Sequence, residues 1–218
     1  MGAALHKQFE SLLSGPLTWQ LRPDPELLPS GIPQIDLPRG CLTEIVGSAS
    51  SGRTSLMLSI LAQATAREEV CAVVDAEDVF SPHDAEAAGV DLSRLLWVRC
   101  THNAEHALRA ADLLIQGGGF GVVVMDLGDT PERTARRISL TSWFRLRRAV
   151  EHTPTVLIAL ARQANAKTCA SLIVECGRAH TNWTGAHGIS RLLRAIEVRA
   201  RSTKRRTECS PVYTAKAI

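Results

Sequence analysis

Short apolar runs alternate with longer amphipathic segments from Gly40 onward, a pattern typical of a parallel sheet whose strands are buried between helices. We predict that the apolar runs form strands at residues 41–46, 70–74, 95–99, 122–125 and 156–161. We predict that the longer segments between them form helices at residues 54–66, 82–88, 104–116 and 131–152. This order predicts an α/β fold with a mostly parallel twisted sheet flanked by helices.

The pattern changes after residue 171. Residues 171–176, 196–201 and 212–217 are predicted to form antiparallel strands that extend one side of the sheet. Near the start of the chain, residues 5–13 have apolar positions at helical spacing, and several prolines follow that cannot remain in a helix. We therefore divide the chain into an N-terminal helix with a proline-rich linker, residues 1–36, and one core, residues 37–218.

The composition favours one soluble domain. A chain of 218 residues with 45% hydrophobic and 22% charged residues can bury one substantial core. Its longest apolar run, residues 156–161, is far shorter than the roughly 20 residues that cross a bilayer, and residues 1–10 lack the apolar part of a signal peptide. We therefore expect a cytoplasmic protein. The six cysteines include no C-x-x-C pair, so we expect core thiols and not metal ligands.

The basic residues are unevenly distributed, although the net charge is only +3. Residues 191–206 contain seven arginines or lysines against one glutamate. Alternation in the predicted strand places some of these side chains on one face, where they can track phosphates without reading bases. The candidate nucleic-acid residues are Arg199, Arg201, Lys204, Arg205 and Arg206. An acidic partner protein fits the same surface equally well.

A loop bounded by two glycines follows the first core strand and opens the first core helix. Its residues are Gly47, Ser48, Ala49, Ser50, Ser51, Gly52, Arg53 and Thr54. They fit the pattern G-x-x-x-x-G-K-[ST] except at the lysine. Backbone amides at a helix N-terminus surround a phosphate, and the hydroxyl at the last position binds Mg²⁺. The loop therefore predicts a nucleotide site, and the alternative is a glycine-rich turn without a ligand.

Three carboxylates follow predicted strands at the same edge of the sheet. Asp126 follows residues 122–125, and Asp75 and Glu77 follow residues 70–74. Ligands of open α/β sheets bind at this edge. Asp126 is placed to hold Mg²⁺ through water, whereas a carboxylate at the other strand end can face a γ-phosphate and polarise an attacking water. Each carboxylate alone fits a solvated strand end or a loop cap equally well.

Residues 37–178 resemble bacterial RecA in the order and spacing of the segments LPRGCLTEIVGSASSGRTSL, CAVVDAEDVFSPHDAEAAGVDLSRLLWVRC and GVVVMDLGD. This resemblance implies a RecA-like P-loop core that acts in DNA repair, with ATP and Mg²⁺ as cofactors. It implies that residues 47–54 are the Walker A loop, that Asp126 is the Walker B aspartate and that Glu77 is the catalytic glutamate.

Several positions depart from the RecA pattern. Arg53 replaces the lysine, and arginine is larger and differently hydrated, so binding is expected to survive better than hydrolysis. Ser81 and Asp84 stand where RecA has an aspartate and an adenine-stacking tyrosine, and Arg162 stands where RecA has a glutamine that senses the γ-phosphate. Residues 164–169 leave no room for the long DNA loop of a recombinase.

A RecA core without this loop is similar to the ImuA-like proteins, which accompany damage-inducible mutagenic polymerases. The segments LLWVRC, ALRAADLLIQGGGFGVVVMDLGD and TSWFRLRRAVEHTPTVLIALARQ carry this resemblance. It implies an accessory role in translesion synthesis during the SOS response. The implied partners are an ImuB-like polymerase-related protein or RecA, with weak binding of single-stranded DNA, and self-association stays open.

The sequence leaves three functions open. The first is an accessory protein of DNA damage tolerance that binds ATP and hydrolyses it slowly or not at all. The second is a DNA-dependent ATPase of the recombinase type, which the presence of Glu77 and Asp126 favours. The third is an interaction scaffold that binds no nucleotide.

Overall fold

The computed structural model describes residues 25–184, 192–203 and 210–216. Its strands are β1 (Leu27–Ile32), β2 (Ile35–Pro38), β3 (Cys41–Val46), β4 (Cys71–Asp75), β5 (Leu95–Arg99), β6 (Val122–Asp126), β7 (Val156–Ala161), β8 (Leu172–Thr184), β9 (Leu192–Thr203) and β10 (Val212–Lys216). Its α-helices are α1 (Arg53–Thr65), α2 (Pro82–Ala87), α3 (Ala104–Gly117), α4 (Glu132–Ala135) and α5 (Leu140–Val150). Short 3₁₀ turns lie at Leu92–Arg94 and Lys167–Cys169.

Eight of these strands form one sheet in the order β10-β9-β8-β3-β7-β6-β4-β5. The strands from β8 to β5 in this order are parallel to one another. Strand β9 runs antiparallel to β8, and β10 runs antiparallel to β9. The predicted fold class is therefore confirmed, including the antiparallel C-terminal extension. The carboxyl ends of the parallel strands meet at one edge of the sheet, where the candidate residues of the loop and the strand ends lie.

Each face of the sheet has its own apolar core. Helix α1 covers one face together with β1 and β2, whereas α3 and α5 cover the other. The large apolar side chains that α1 buries are Leu56, Met57, Leu58, Ile60 and Leu61. The largest that α3 and α5 bury are Leu108, Ile115, Trp143, Leu146 and Val150. Successive side chains of β4 alternate between the two apolar cores, since Val73 belongs to the core on the α1 face and Val74 to the core on the α3 and α5 face.

A short antiparallel hairpin occupies residues 27–38, where the sequence predicted a linker. Strands β1 and β2 pair with each other, and Gln34 in their turn has a φ of 70°. The hairpin buries its apolar side chains on the α1 side of the sheet, and they are Leu28, Ile32, Ile35 and Leu37. The prolines correctly exclude a helix, but Pro29 is tolerated in a strand that has only one neighbour. The linker prediction is therefore wrong for this segment.

The single helix predicted over residues 131–152 is also wrong. The chain forms two helices there, α4 and α5, because Ser139 has extended backbone geometry with a ψ of 150°. The Ser139 side chain accepts the amide of Ser142 at 3.1 Å and thereby caps α5. Serine therefore competes with the helical backbone at a position that apolar periodicity alone cannot detect.

Four of the predicted core thiols, Cys71, Cys100, Cys169 and Cys176, are buried, and Cys41 is half-buried. Among the described residues, no helix has the length and apolar character needed to span a membrane. The predicted helix at residues 5–13 lies outside the described residues, as do Lys204, Arg205 and Arg206.

Candidate functional site

The predicted phosphate loop connects β3 to α1. The Gly47 amide donates to the carbonyl of Ala161 at the end of β7, which fixes the start of the loop beside the neighbouring strand. Gly52 lies immediately before α1 with a φ of 91°, a left-handed conformation that glycine adopts without strain. Ser48, Ala49 and Ser50 are exposed, whereas Ser51 is buried. The loop therefore has the strand-to-helix context that the motif requires.

The C-terminal strands pack directly against this loop. The phenolic hydroxyl of Tyr213 in β10 donates to the Gly52 carbonyl at 3.0 Å. A methyl group on the Gly52 Cα would overlap the side chain of Val198 in β9, and one on Gly47 would lie 2.6 Å from the Cys176 carbonyl of β8. Both glycines are therefore required by close contacts, and Gly52 also by its left-handed backbone. The sequence did not predict the contacts of Val198 and Tyr213, because they join segments far apart along the chain.

The Arg53 side chain bridges the phosphate loop to the end of β6. Its guanidinium donates to the Gly47 carbonyl at 2.6 Å and to the Gly128 carbonyl at 2.9 Å. It also lies 3.3 Å from a carboxylate oxygen of Asp129, and only 6% of the Arg53 surface is exposed. The charge at the lysine position is therefore bonded to the protein itself.

Two polar atoms beside this bridge lack a hydrogen-bond partner among the described residues. They are the Nε of Arg53 and the hydroxyl of Ser51, and both are buried. An unsatisfied buried donor costs about 1–3 kcal/mol. A phosphate oxygen is an acceptor of the kind that both atoms lack, so the donor set fits a phosphate group.

Asp126 ends β6 inside the protein. Burial raises the pKa of its carboxyl to about 6, and the amide of Gly128, which donates at 2.8 Å, opposes this effect. The neighbouring carboxylate of Asp75 also raises the pKa of Asp126, whereas the Arg53 guanidinium lowers it. A nearby cation would stabilise the ionised form of this buried carboxyl, and Mg²⁺ is such a cation.

A cavity of about 120 Å³ brings Arg53, Thr54 and Asp126 together, as predicted from their positions in the sequence. Asp84, Asp129 and the helix-capping Ser81 also line it. Pockets that hold drug-sized ligands measure about 300–1,000 Å³, so a nucleoside triphosphate requires this cavity to open. Asp84 offers a carboxylate where RecA has a stacking aromatic ring, and it therefore gives an adenine base no stacking face.

Glu77 does not line this cavity. Its carboxylate lies 3.0 Å from the Nδ1 of His102, in the loop between β5 and α3. Asp75 is fully buried and accepts the amide of Phe80 at 2.8 Å and the indole N–H of Trp97 at 3.3 Å. These bonds fix the β4 end, so the interpretation of Asp75 as a γ-phosphate-facing group is wrong.

Arg162 joins the same cluster as Arg53. Its Nε donates to the Gly128 carbonyl at 3.2 Å, and its guanidinium lies 3.6 Å from Asp129. Two arginines thus share one carbonyl and one carboxylate in the loop after β6. Asp129 was missed because an acidic residue in a polar loop has no distinguishing sequence signal.

The connection between β7 and β8 is tight. A carboxylate oxygen of the buried Glu44 accepts the backbone amides of Asn165 and Ala166 at 2.7 and 2.9 Å. The 3₁₀ turn Lys167–Cys169 follows and leads into β8. The sequence correctly predicts a short connection here, but not the carboxylate that holds it.

The described part of the basic segment lies on β9. Val198 and Ala200 are buried, whereas Arg199 and Arg201 are exposed, as the alternation predicts. Arg201 pairs with Glu175 of β8 at 3.0 Å. Strand β9 therefore contacts the phosphate loop with one face and presents arginines on the other.

Residues 28–131 match the family described as the RecA N-terminal domain. Protein RecA of Methylococcus capsulatus is 43% identical over 110 residues, which cover 47% of this chain and 31% of that protein. Protein RecA of Deinococcus radiodurans is 44% identical over 90 residues, which cover 41% of this chain and 24% of that protein. The chain thus spans about a third or less of the length of these relatives. These matches support a RecA-like family.

A KaiC-like protein from Pyrococcus horikoshii has a similar structure, with a TM-score of 0.57 over 87% of this chain and 93% of that chain. The two are 15% identical in sequence, so the likeness shows the fold alone. It covers a larger part of the chain than residues 28–131, which match the RecA N-terminal domain.

Proposed function

We propose that this RecA-like chain is a nucleotide-binding accessory protein of DNA damage tolerance with weak or no ATPase activity, similar to ImuA-like proteins in translesion synthesis. The observation that carries the proposal is the bonding of Arg53, whose guanidinium holds the carbonyls of Gly47 and Gly128. A cation held in this way is poorly placed to follow charge that develops on a transferring phosphate.

Binding of ATP at residues 47–54 is supported by the donors that the protein leaves unsatisfied. The loop amides would surround the phosphates, and the Nε of Arg53 and the hydroxyl of Ser51 would gain an acceptor. Thr54 and Asp126 line one cavity and would hold Mg²⁺, Asp126 through water. The metal would neutralise phosphate charge when bound.

Slow turnover follows from two features of the same edge of the sheet. Arg53 must give up some of its backbone bonds before its charge can reach a β- or γ-phosphate. Glu77, the candidate catalytic residue, bonds to His102 and does not line the cavity of Arg53 and Thr54. Both features allow nucleotide binding while they disfavour hydrolysis.

An accessory role is favoured over strand exchange by the β7–β8 connection. Glu44 holds the amides of Asn165 and Ala166, so the backbone that would have to carry a DNA loop is short and bonded to the core. We propose that single-stranded DNA contacts the basic residues of β9 and those that follow in sequence, which supports weak, salt-sensitive binding. The partner that we propose is an ImuB-like polymerase-related protein or RecA.

Calorimetric titration with ATP and ADP, with and without Mg²⁺, tests this function. We expect both nucleotides to bind, with a higher affinity in the presence of Mg²⁺. Thr54→Ala should abolish this effect of Mg²⁺ on affinity. Single-stranded DNA should not stimulate turnover. Thr141→Ala, the same exchange at an exposed position of α5 outside the loop, is the matched control. Fast DNA-stimulated hydrolysis would support a recombinase-type ATPase instead. Absence of binding would support the scaffold function, which the small cavity favours.

A further inference from the structure

Glu77 and His102 form a contact between the ends of two neighbouring strands. The Glu77 Oε2 lies 3.0 Å from the His102 Nδ1, and the Glu77 side chain is only 16% exposed. An ionised carboxylate only accepts hydrogen bonds, so the imidazole must carry a proton on Nδ1 and donate it. The contact therefore requires a proton on Nδ1, which both the neutral Nδ1-protonated ring and the imidazolium carry.

The backbone that presents His102 is strained. Thr101 and His102 have φ values of 54° and 59°, in the left-handed region that non-glycine residues rarely adopt. Asp78, with a φ of 57°, accepts the amide of Thr101 at 3.2 Å and pairs with Arg99 at 3.2 Å. Strained backbone persists where surrounding contacts enforce it, and it concentrates at functional sites. The loop is thus held in the conformation that brings His102 to Glu77.

The contact turns Glu77 away from the phosphate loop. That loop follows β3, and the sheet order places β7 and β6 between β3 and β4. His102 follows β5, which lies on the opposite side of β4. A side chain at the end of β4 that bonds to the β5 end therefore points along this edge away from the phosphate loop.

We propose that His102 is a positioning residue that holds Glu77 in a resting orientation, and that this contact must open before Glu77 can orient water at the phosphate loop. The proposal rests on the proposed function for the identity of the ligand. The restraint itself depends only on this chain. No proton is transferred when the contact opens, since the imidazole keeps its Nδ1 proton or exchanges it with water.

Long-range ¹H–¹⁵N NMR of the imidazole tests the restraint without nucleotide. At mildly alkaline pH, where a free imidazole is neutral, we expect the Nδ1-protonated form of His102 in the parent protein. Glu77→Ala should shift the ring to the Nε2-protonated form that free histidine prefers. Glu105→Ala, which removes an exposed carboxylate of α3, should leave it unchanged. An Nε2-protonated ring in the parent protein would overturn the proposal.

Turnover measured in an Arg53→Lys background tests the consequence. Glycine tolerates the left-handed backbone but removes the donor, so His102→Gly should raise kcat about threefold to tenfold, the effect of losing one net hydrogen bond. Asparagine tolerates the same backbone and keeps a donor, so His102→Asn should resemble the parent. KM should be unchanged in both, and His106→Asn on α3 is the surface control. A kcat that falls in His102→Gly would show that His102 supports Glu77 productively and would overturn the proposal.

The NMR test of the restraint and the turnover test of its consequence have independent outcomes. If no variant binds or hydrolyses ATP, the proposed function fails, whereas the ring spectra still decide whether His102 holds Glu77. If nucleotide binds, adding a non-hydrolysable ATP analogue with Mg²⁺ should move His102 towards the Nε2-protonated form. A ring that keeps its Nδ1 proton in the saturated complex would show that Glu77 is never released.

Discussion

The Arg53 guanidinium donates to the carbonyl oxygen of Gly47 at 2.6 Å, so the cation at the lysine position is bonded to the backbone of its own loop. The same side chain reaches Gly128 beyond β6. A lysine ammonium has no planar fork with which to hold both carbonyls in this way. The exchange therefore converts a phosphate-facing charge into a structural link between two strand ends.

Arg53→Lys should trade stability for nucleotide chemistry. The substitution removes bonds from a charged group to two carbonyls, so we expect the free energy of unfolding to fall by about 1–3 kcal/mol. The freed ammonium can follow the phosphates, so ATP affinity and turnover should rise. Urea unfolding and a coupled ATPase assay measure the two effects. Arg145→Lys, at a half-exposed ion pair with Asp112, should change neither. Turnover that decreases in Arg53→Lys would contradict our interpretation of Arg53.

Gly52 is needed for the fold as well as for the loop. Gly52→Ala should destabilise the protein by about 1–2 kcal/mol from the left-handed backbone alone, and by more because its Cβ meets Val198. Gly52→Val, the customary way to block a phosphate loop, would therefore disturb the packing of β9 and would not report on binding alone.

A double-mutant cycle with Val198→Ala separates the two contributions to the cost of Gly52→Ala. The smaller side chain makes room for the new Cβ, so Gly52→Ala should cost less in the Val198→Ala background than in the parent. Equal costs in both backgrounds, measured by urea unfolding, would show that a clash with Val198 does not contribute to the cost of Gly52→Ala.

The sequence predicts the parallel core well because buried strands have an unambiguous pattern. Strand β3 has the predicted bounds, and β4 is shifted by one residue. The hairpin at β1 and β2 was missed since its prolines outweighed a short apolar alternation. The break at Ser139 depends on one side-chain hydrogen bond, which periodicity does not register.

The candidate site was likewise predicted in part. The sequence predicts that Arg53, Thr54 and Asp126 lie close together, because each is located at a strand end or at the start of a helix, and all three line one cavity. Contacts between distant segments, such as Tyr213 with Gly52 and His102 with Glu77, have no local signal. They depend on sheet order, which the sequence pattern did not specify.

Stability should depend on pH through Asp126. Its pKa is raised to about 6 in the folded protein, so the folded state binds this proton more tightly than the unfolded chain does. The resulting stabilisation is complete below about pH 4 and is lost as the pH rises through 6, on the order of 2–3 kcal/mol in total. Asp126→Asn keeps an acceptor for Gly128 and removes the charge. The variant should therefore gain stability relative to the parent between pH 4 and pH 8.

Urea unfolding across this range checks the Asp126 prediction. Asp91→Asn is a control of opposite sign, because hydrogen bonds from Ser93 lower the pKa of Asp91 and its contribution is lost as the pH falls. A pH dependence that is identical in the parent and in Asp126→Asn would show that this carboxyl does not titrate in the folded protein as we expect.

Binding of single-stranded DNA should be weak and should depend on the arginines of β9 to different degrees. Arg199 is exposed, whereas Arg201 already pairs with Glu175 at 3.0 Å. Arg199→Ala should therefore reduce the slope of log affinity against log salt concentration by about 0.7, the value for one phosphate contact on a single strand. Arg201→Ala should reduce this slope less, and Glu175→Gln should strengthen binding because it frees Arg201.

Replacement of Lys204, Arg205 and Arg206 by alanine should weaken binding of single-stranded DNA equally for all sequences. Fluorescence anisotropy over a salt series measures these slopes, and binding that persists unchanged at high salt would contradict a phosphate-tracking surface.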